Sequence, residues 1–133
     1  YVFTCANNSR GSYCTIEGTA VHGCPRSACP QIGFGEILGL RGGATPNTTG
    51  PLLRDTATTS VYFDWFNSSG VRHQCWFDDA QTLGVKFAWA GKAQLRGVGC
   101  FLSTMLACSK CDDAERNASS AAMWAAFDHF QPL

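Results

Sequence analysis

The sequence predicts an α/β fold, and three observations carry that prediction. Past residue 60, short aromatic and β-branched runs alternate with apolar runs of helical period, the order of strand–helix units in a parallel sheet. Residues 60–66 and 71–77 flank Asn67-Ser68-Ser69-Gly70 and read as two strands joined by a hairpin turn. Eight cysteines in 133 residues, an even number, indicate a disulfide framework. The length suits one domain. It divides into a cysteine-rich strand and loop part, 1–59, and a part holding the hairpin and the terminal βα units, 60–133.

Taken in order, residues 1–5 read as a short buried strand, and 5–30 as a loop stapled by Cys5, Cys14, Cys24 and Cys29. Pro30 suits the first position of a short helix with Ile32, Ile37 and Leu38 inward, weakened by Gly33, Gly35 and Gly39. Residues 41–60 are rich in Gly, Thr, Pro and Asn and read as a loop. After the hairpin, Asp78 with Gln81 forms a capping-box pattern ahead of Leu83, Phe87, Ala88 and Ala90, so a helix is expected there. Residues 95–102 are a second buried-strand candidate, whose glycines suggest tight packing against a neighbour. The last helix is expected to open at Asp112 with Glu115 as its capping partner. Met123, Trp124, Phe127 and Phe130 form its apolar stripe, which reads as core. Only two βα units are visible, too few to close a barrel.

Charge and hydropathy exclude several functions. Ten basic residues balance ten acidic ones, so there is no electrostatic case for nucleic acid or an anionic membrane. No apolar run approaches the ~20 residues that span a bilayer. No signal peptide is visible, and Tyr1 is no initiator, so the chain is expected to begin downstream of a true start. Four Asn-x-Ser/Thr sequons, at Asn7, Asn47, Asn67 and Asn117, accompany the cysteines. Together they point to an oxidising compartment: secreted, cell-surface, or a lysosomal or vacuolar lumen.

Pairing of all eight cysteines is expected, including Cys75, Cys100, Cys108 and Cys111, and no cofactor is called for. Two readings compete with it. Cys24-x4-Cys29 near His22, and Cys108-x2-Cys111, have metal-knuckle spacings, and Cys108-Ser109-Lys110-Cys111 also fits a redox motif before a helix. Asp78 and Asp79 are a possible carboxylate pair, against which stands their place at a helix start, where capping explains them. His73 reads as a partly exposed strand histidine, and Trp65 and Trp89 are assigned to the insertion and to the helix face.

The run His73-Gln74-Cys75-Trp76-Phe77-Asp78-Asp79, followed by Leu95-Arg96-Gly97-Val98-Gly99, resembles the last two βα units of family 18 glycoside hydrolases, nearest their chitobiase branch. Residues 1–5, Cys14-Thr15-Ile16 and Cys24 resemble the disulfide-bearing stretch after that family's sixth barrel strand. The resemblance implies a partial (β/α)8 segment, about strands six to eight, with a disulfide-rich insertion and a β-hairpin. It also implies Tyr1, Gln74, Trp76 and Phe101 as sugar contacts at strand ends. Departures are plain. No Asp-x-x-Asp-x-Asp-x-Glu run exists, and Glu17, Glu36 and Glu115 are the only glutamates. Val2 stands where the family has an Asp, and Phe101 where it has a Trp. Hydrolysis assisted by the substrate needs a positioned acid and a polar partner for the acetamido group, so no catalytic residue is assigned.

The resulting expectation is a non-catalytic chitinase-like module of an extracellular glycoprotein, used for glycan binding or assembly. The alternatives are a segment of a processed hydrolase whose catalytic Glu lies elsewhere, and a stand-alone disulfide scaffold. A further segment, domain or chain is expected to complete the sheet and bury residues 1–5 and 97–102.

Overall fold

The computed structural model describes residues 1–6, 8–14, 30–41, 50–100, 103–106 and 113–132. Four strands form one sheet: β1 (Val2–Thr4), β2 (Leu53–Asp55), β3 (Ser60–Phe66) and β4 (Arg72–Phe77), in the order β1-β4-β3-β2. Three α-helices accompany it: α1 (Phe34–Arg41), α2 (Ala80–Lys92) and α3 (Asp113–Ala125). Short 3-10 turns lie at Ser103–Leu106 and Ala126–His129.

The hairpin forms where the sequence places it, with Phe63 opposite Cys75 and Asp64 opposite Gln74. Alternation then separates the side chains onto two faces. Phe63, Cys75 and Val2 point to one face and form the core with Ile37 of α1, ringed by Leu40, Leu52, Trp65 and Phe77. Tyr62, Asp64, Arg72, Gln74 and Trp76 share the other face, with Phe3 beside them across β1. The turn closes because Asn67 Oδ1 accepts hydrogen bonds from the backbone N–H of Ser69 and of Val71, both at 3.0 Å. Gly70 supplies the left-handed residue at φ +74°.

Several expectations need correction. Every strand pair is antiparallel, so the expected parallel βα sheet is not present among the described residues. Strand β1 runs against β4, and this brings Cys5 beside Arg72, whose carbonyl accepts the Cys5 N–H at 2.9 Å. From there the loop 8–14, tied back by the Cys5–Cys14 disulfide, reaches the polar face of the sheet. Residues 95–100 are not a strand, and Gly97, Gly99 and Cys100 are exposed. A Cβ on either glycine would meet nothing within 4 Å, so the expected tight packing is not there. Phe101 and Leu102 lie outside the described residues. The expected helix at Pro30 starts instead at Phe34, and the Pro30 carbonyl takes the Val2 N–H at 3.0 Å.

Helix α2 is capped one residue later than the Asp78–Gln81 pattern suggests. Asp79 accepts from the Thr82 N–H at 2.8 Å, and Thr82 Oγ1 accepts from the Asp79 N–H at 3.0 Å. Asp78 instead takes the Lys86 ammonium at 2.6 Å and the Thr82 hydroxyl at 3.1 Å. Both carboxylates thus serve the helix start, and the Arg54 guanidinium, at 2.7 Å from Asp79, ties it to β2. Helix α3 runs from Asp113; Asp112 lies outside the described residues. Of its apolar stripe, Met123 is buried, Phe127 and Phe130 are half-buried, and Trp124 is 47% exposed. Phe127 packs on Phe87 of α2 at 4.7 Å between centroids.

Among the described cysteines only Cys5 and Cys14 are joined. Cys75 and Cys100 carry free thiols, against the expectation that all eight pair. Cys75 is sealed in the core between β1 and β3, and burial pushes its thiol up to about 11. Cys24, Cys29, Cys108 and Cys111 lie outside the described residues, as do Asn7 and Asn47; Asn67 is half-buried in the turn and Asn117 is exposed on α3.

Two outcomes follow. A thiol reagent should modify Cys100 in the native protein and Cys75 only after unfolding, read by peptide mapping; a Cys75 disulfide would contradict the core described here. At Gly91 an added Cβ would lie 2.7 Å from the Gln131 carbonyl oxygen. In an unobstructed helix Gly→Ala gains up to ~1 kcal/mol; here Gly91→Ala should lose about 1–3 kcal/mol in urea denaturation, because backbone must move.

Candidate functional site

The polar face of the hairpin is built around a buried ion pair. Asp64 and Arg72 are 3% and 0% exposed at the side chain, with 2.8 Å between Asp64 Oδ1 and Arg72 Nη2. The same oxygen accepts from Arg72 Nε at 3.1 Å and from Gln74 Nε2 at 3.0 Å, while Oδ2 accepts from the Gly11 N–H at 2.8 Å. Arg72 also donates to the Ser12 carbonyl. Removing two charges from water costs several kcal/mol per ion, so such a pair persists only when its remaining donors and lone pairs are filled. Here the backbone of Gly11 and Ser12 and the Gln74 amide fill part of that demand.

Gln74 extends this network and uses its full capacity. Its Nε2 donates to Asp64 Oδ1 and, at 3.0 Å, to the Ser12 carbonyl. Its Oε1 accepts from the Cys14 N–H at 3.1 Å and from the indole N–H of Trp76 at 2.8 Å. Two donors and two lone pairs are all an amide has. Gln74 therefore fixes the orientation of the Trp76 ring and leaves no polar atom over for a ligand.

Above this frame lies a cleft of about 400 Å³ lined by Tyr1, Phe3, Tyr13, Cys14, Thr58, Ser60, Gln74 and Trp76. Trp76 lies flat on Tyr62, 4.3 Å between centroids with 13° between planes, and Tyr13 stands 6.0 Å from the indole at 25°. Tyr1 and Tyr13 are 56% and 63% exposed, so aromatic surface faces solvent on both sides of the cleft. The polar edge comes from hydroxyls. Tyr13 donates to Asp55 Oδ1 at 3.1 Å, and the Lys86 ammonium reaches Ser60 Oγ at 3.2 Å. The hydrogen bond to Asp55, and then the charge of that carboxylate, raise the pKa of the Tyr13 phenol. Hydrogen bonds from the Thr58 side chain first, with its backbone N–H and Tyr13 adding to them, lower that of Asp55. Tyr13 is thus a neutral phenol and Asp55 a carboxylate at neutral pH. A general acid needs the opposite shift, a carboxyl raised towards neutrality.

Three of the four sugar-contact candidates, Tyr1, Gln74 and Trp76, come together in this cleft; Phe101 lies outside the described residues. Gln74 lies under the site as a support. Tyr13, Tyr62, Asp64 and Arg72 went unread in the sequence. The available signal was the pair Asp64 and Arg72, charged residues within otherwise aromatic strands, eight positions apart across a four-residue turn. Val2 is buried in the core on the opposite face. Among the described residues no three His, Cys, Asp or Glu side chains converge as a metal site. No helix among them is long and apolar enough to cross a membrane.

No protein-family model matches the chain. It is 27% identical over 128 residues to the di-N-acetylchitobiase of Mus musculus and 27% identical over 126 residues to that of Homo sapiens. These alignments cover 95% and 93% of this chain but 33% and 31% of the relatives. A probable di-N-acetylchitobiase 1 of Dictyostelium discoideum is 29% identical over 110 residues, covering 82% of this chain and 27% of the relative. Among solved structures, a chitinase from Chromobacterium violaceum aligns with 60% of this chain and 21% of its own, at 24% identity and a TM-score of 0.43. The chain spans about a third of the length of the curated relatives it matches, and over that length it is similar to a segment of the di-N-acetylchitobiases.

Proposed function

We propose that this chain is a non-catalytic, chitinase-like module of an extracellular or lumenal glycoprotein that binds glycan in the Tyr1–Tyr13–Trp76 cleft. The observation that carries the reading is the fixed indole: Trp76 is held by Gln74 on one edge and stacked on Tyr62, with exposed tyrosines beside it. Sugars present apolar C–H faces and a rim of hydroxyls, and a pre-formed aromatic surface edged by hydroxyl groups suits both. The similarity to di-N-acetylchitobiases favours oligosaccharides containing N-acetylglucosamine as the ligand class. Val2 in the place of the family's Asp supports binding without hydrolysis.

On this reading the chain derives from about strands six to eight of a (β/α)8 barrel, and its sequons and the Cys5–Cys14 bridge suit secretion. Another segment or chain covers the apolar side chains that remain exposed, Val85, Trp89 and Leu95. One observation favours a second reading. Because the relatives are about three times as long, the module also fits a processed hydrolase whose catalytic Glu lies on a different segment.

Titration with N,N′,N″-triacetylchitotriose, followed by tryptophan fluorescence and calorimetry, separates these readings. The expected result is saturable binding that Trp76→Ala weakens at least tenfold, about 1.4 kcal/mol, with no sugar released on long incubation. Lack of binding by the folded wild type would reject the glycan reading, and turnover by the isolated chain would reject the non-catalytic one.

A further inference from the structure

On the sheet face away from the cleft, His73 sits where β1, β3 and the hairpin turn meet. Its ring stacks on Trp65 at 4.4 Å and 17°. Nδ1 lies 3.3 Å from Thr4 Oγ1, and Nε2 lies 3.3 Å from Asn67 Nδ2. The Asn67 amide cannot turn over without breaking the turn, because its Oδ1 already accepts from Ser69 and Val71. Its NH2 therefore faces the ring. An amide NH2 only donates, so Nε2 must offer a lone pair and the proton of the neutral ring belongs on Nδ1, directed at the Thr4 hydroxyl oxygen. A second proton would set the N–H of an imidazolium against the N–H of the amide, two donors with no acceptor between them. We propose that His73 is a proton-sensitive latch, which ties the hairpin turn to β1 when neutral and releases it when protonated.

Stacking on Trp65 works the other way, since an indole face attracts a cation. The surroundings oppose it. Among the described residues, the side chains seen to bond or stack with the ring are Thr4 from β1, Trp65 from β3 and Asn67 from the turn, all uncharged. Cys75, next on the same face of β4, keeps its proton. Burial lowers the His73 pKa, with no compensating carboxylate among the described residues. The sign follows from linkage. With its folded pKa below the unfolded value of about 6.5, His73 stabilises the closed turn fully above about pH 6.5, and this is lost as pH falls through the folded pKa. Asn67 heads a sequon, so a glycan on its Nδ2 would ride on the part that moves.

The test is an NMR titration of the His73 ring together with hydrogen-exchange protection of the Ser69 and Val71 amides, in the wild type, Asn67→Asp and His73→Phe. In the wild type the midpoint should fall below about 6.5, and protection at both amides should drop by roughly tenfold through it. Asn67→Asp offers Nε2–H a carboxylate oxygen, so it should raise the midpoint above about 6.5 and remove the loss of protection. His73→Phe keeps the stack and should make protection independent of pH once intrinsic exchange is divided out. A wild-type midpoint at or above about 6.5, unchanged protection through it, or equal loss at the Trp76 amide, which bonds the Tyr1 carbonyl at 2.8 Å and reports the sheet as a whole, would overturn the proposal.

Discussion

A carboxylate and a guanidinium buried together on one face of a hairpin constrain most of what surrounds them. Asp64 and Arg72 cannot lie open, and they cannot be covered by apolar side chains alone, because each keeps unfilled donors or lone pairs beyond its partner. The loop 8–14 meets that demand with a backbone N–H from Gly11 and a carbonyl from Ser12. For the loop to arrive there, β1 must leave the sheet at the Arg72 end, which is the antiparallel direction observed. The Cys5–Cys14 disulfide then closes the loop over the network, and Tyr13 is delivered to the edge of the cleft.

This constraint also accounts for what was legible in the sequence. The hairpin could be read because period-two alternation and an Asn-Ser-Ser-Gly turn are local signals. Helix α2 was readable for the same reason, and the error of one residue in its cap arose because Asp78 and Asp79 are adjacent and only geometry shows which carboxylate takes the Thr82 N–H and which its hydroxyl. Strand direction is not local. Nothing in residues 1–5 states whether they run with or against β4; that is set by the Asp64–Arg72 pair some 60 residues on. Residues 95–100 have strand-like content, but Gly97 and Gly99 add entropy cost and no neighbouring strand among the described residues supplies a ladder. Cys75 was counted as a half-cystine by parity, yet a cysteine is also a small apolar side chain, and its core position is the use made of it.

Part of the candidate site was legible too, through resemblance. Tyr1, Gln74 and Trp76 do line one cleft, but their roles divide in a way that sequence alone cannot express. Gln74 is spent on four hydrogen bonds, and its effect on any ligand passes through the ring it holds. Tyr13 lies in a segment with no periodicity, so only the folded loop places its ring beside Trp76. The similarity to di-N-acetylchitobiases runs along most of the chain and does not single out these side chains.

The dependence of the fold on the buried pair is open to a direct measurement, a double-mutant cycle between Asp64→Asn and Arg72→Met by urea denaturation. Each single change should cost about 3–5 kcal/mol, since it strands a buried charge. The double mutant should cost at least ~2 kcal/mol less than the sum of the two, the signature of a pair in contact. Strict additivity of the two changes, or single changes that cost under ~1 kcal/mol, would contradict the account and place the organising interaction elsewhere.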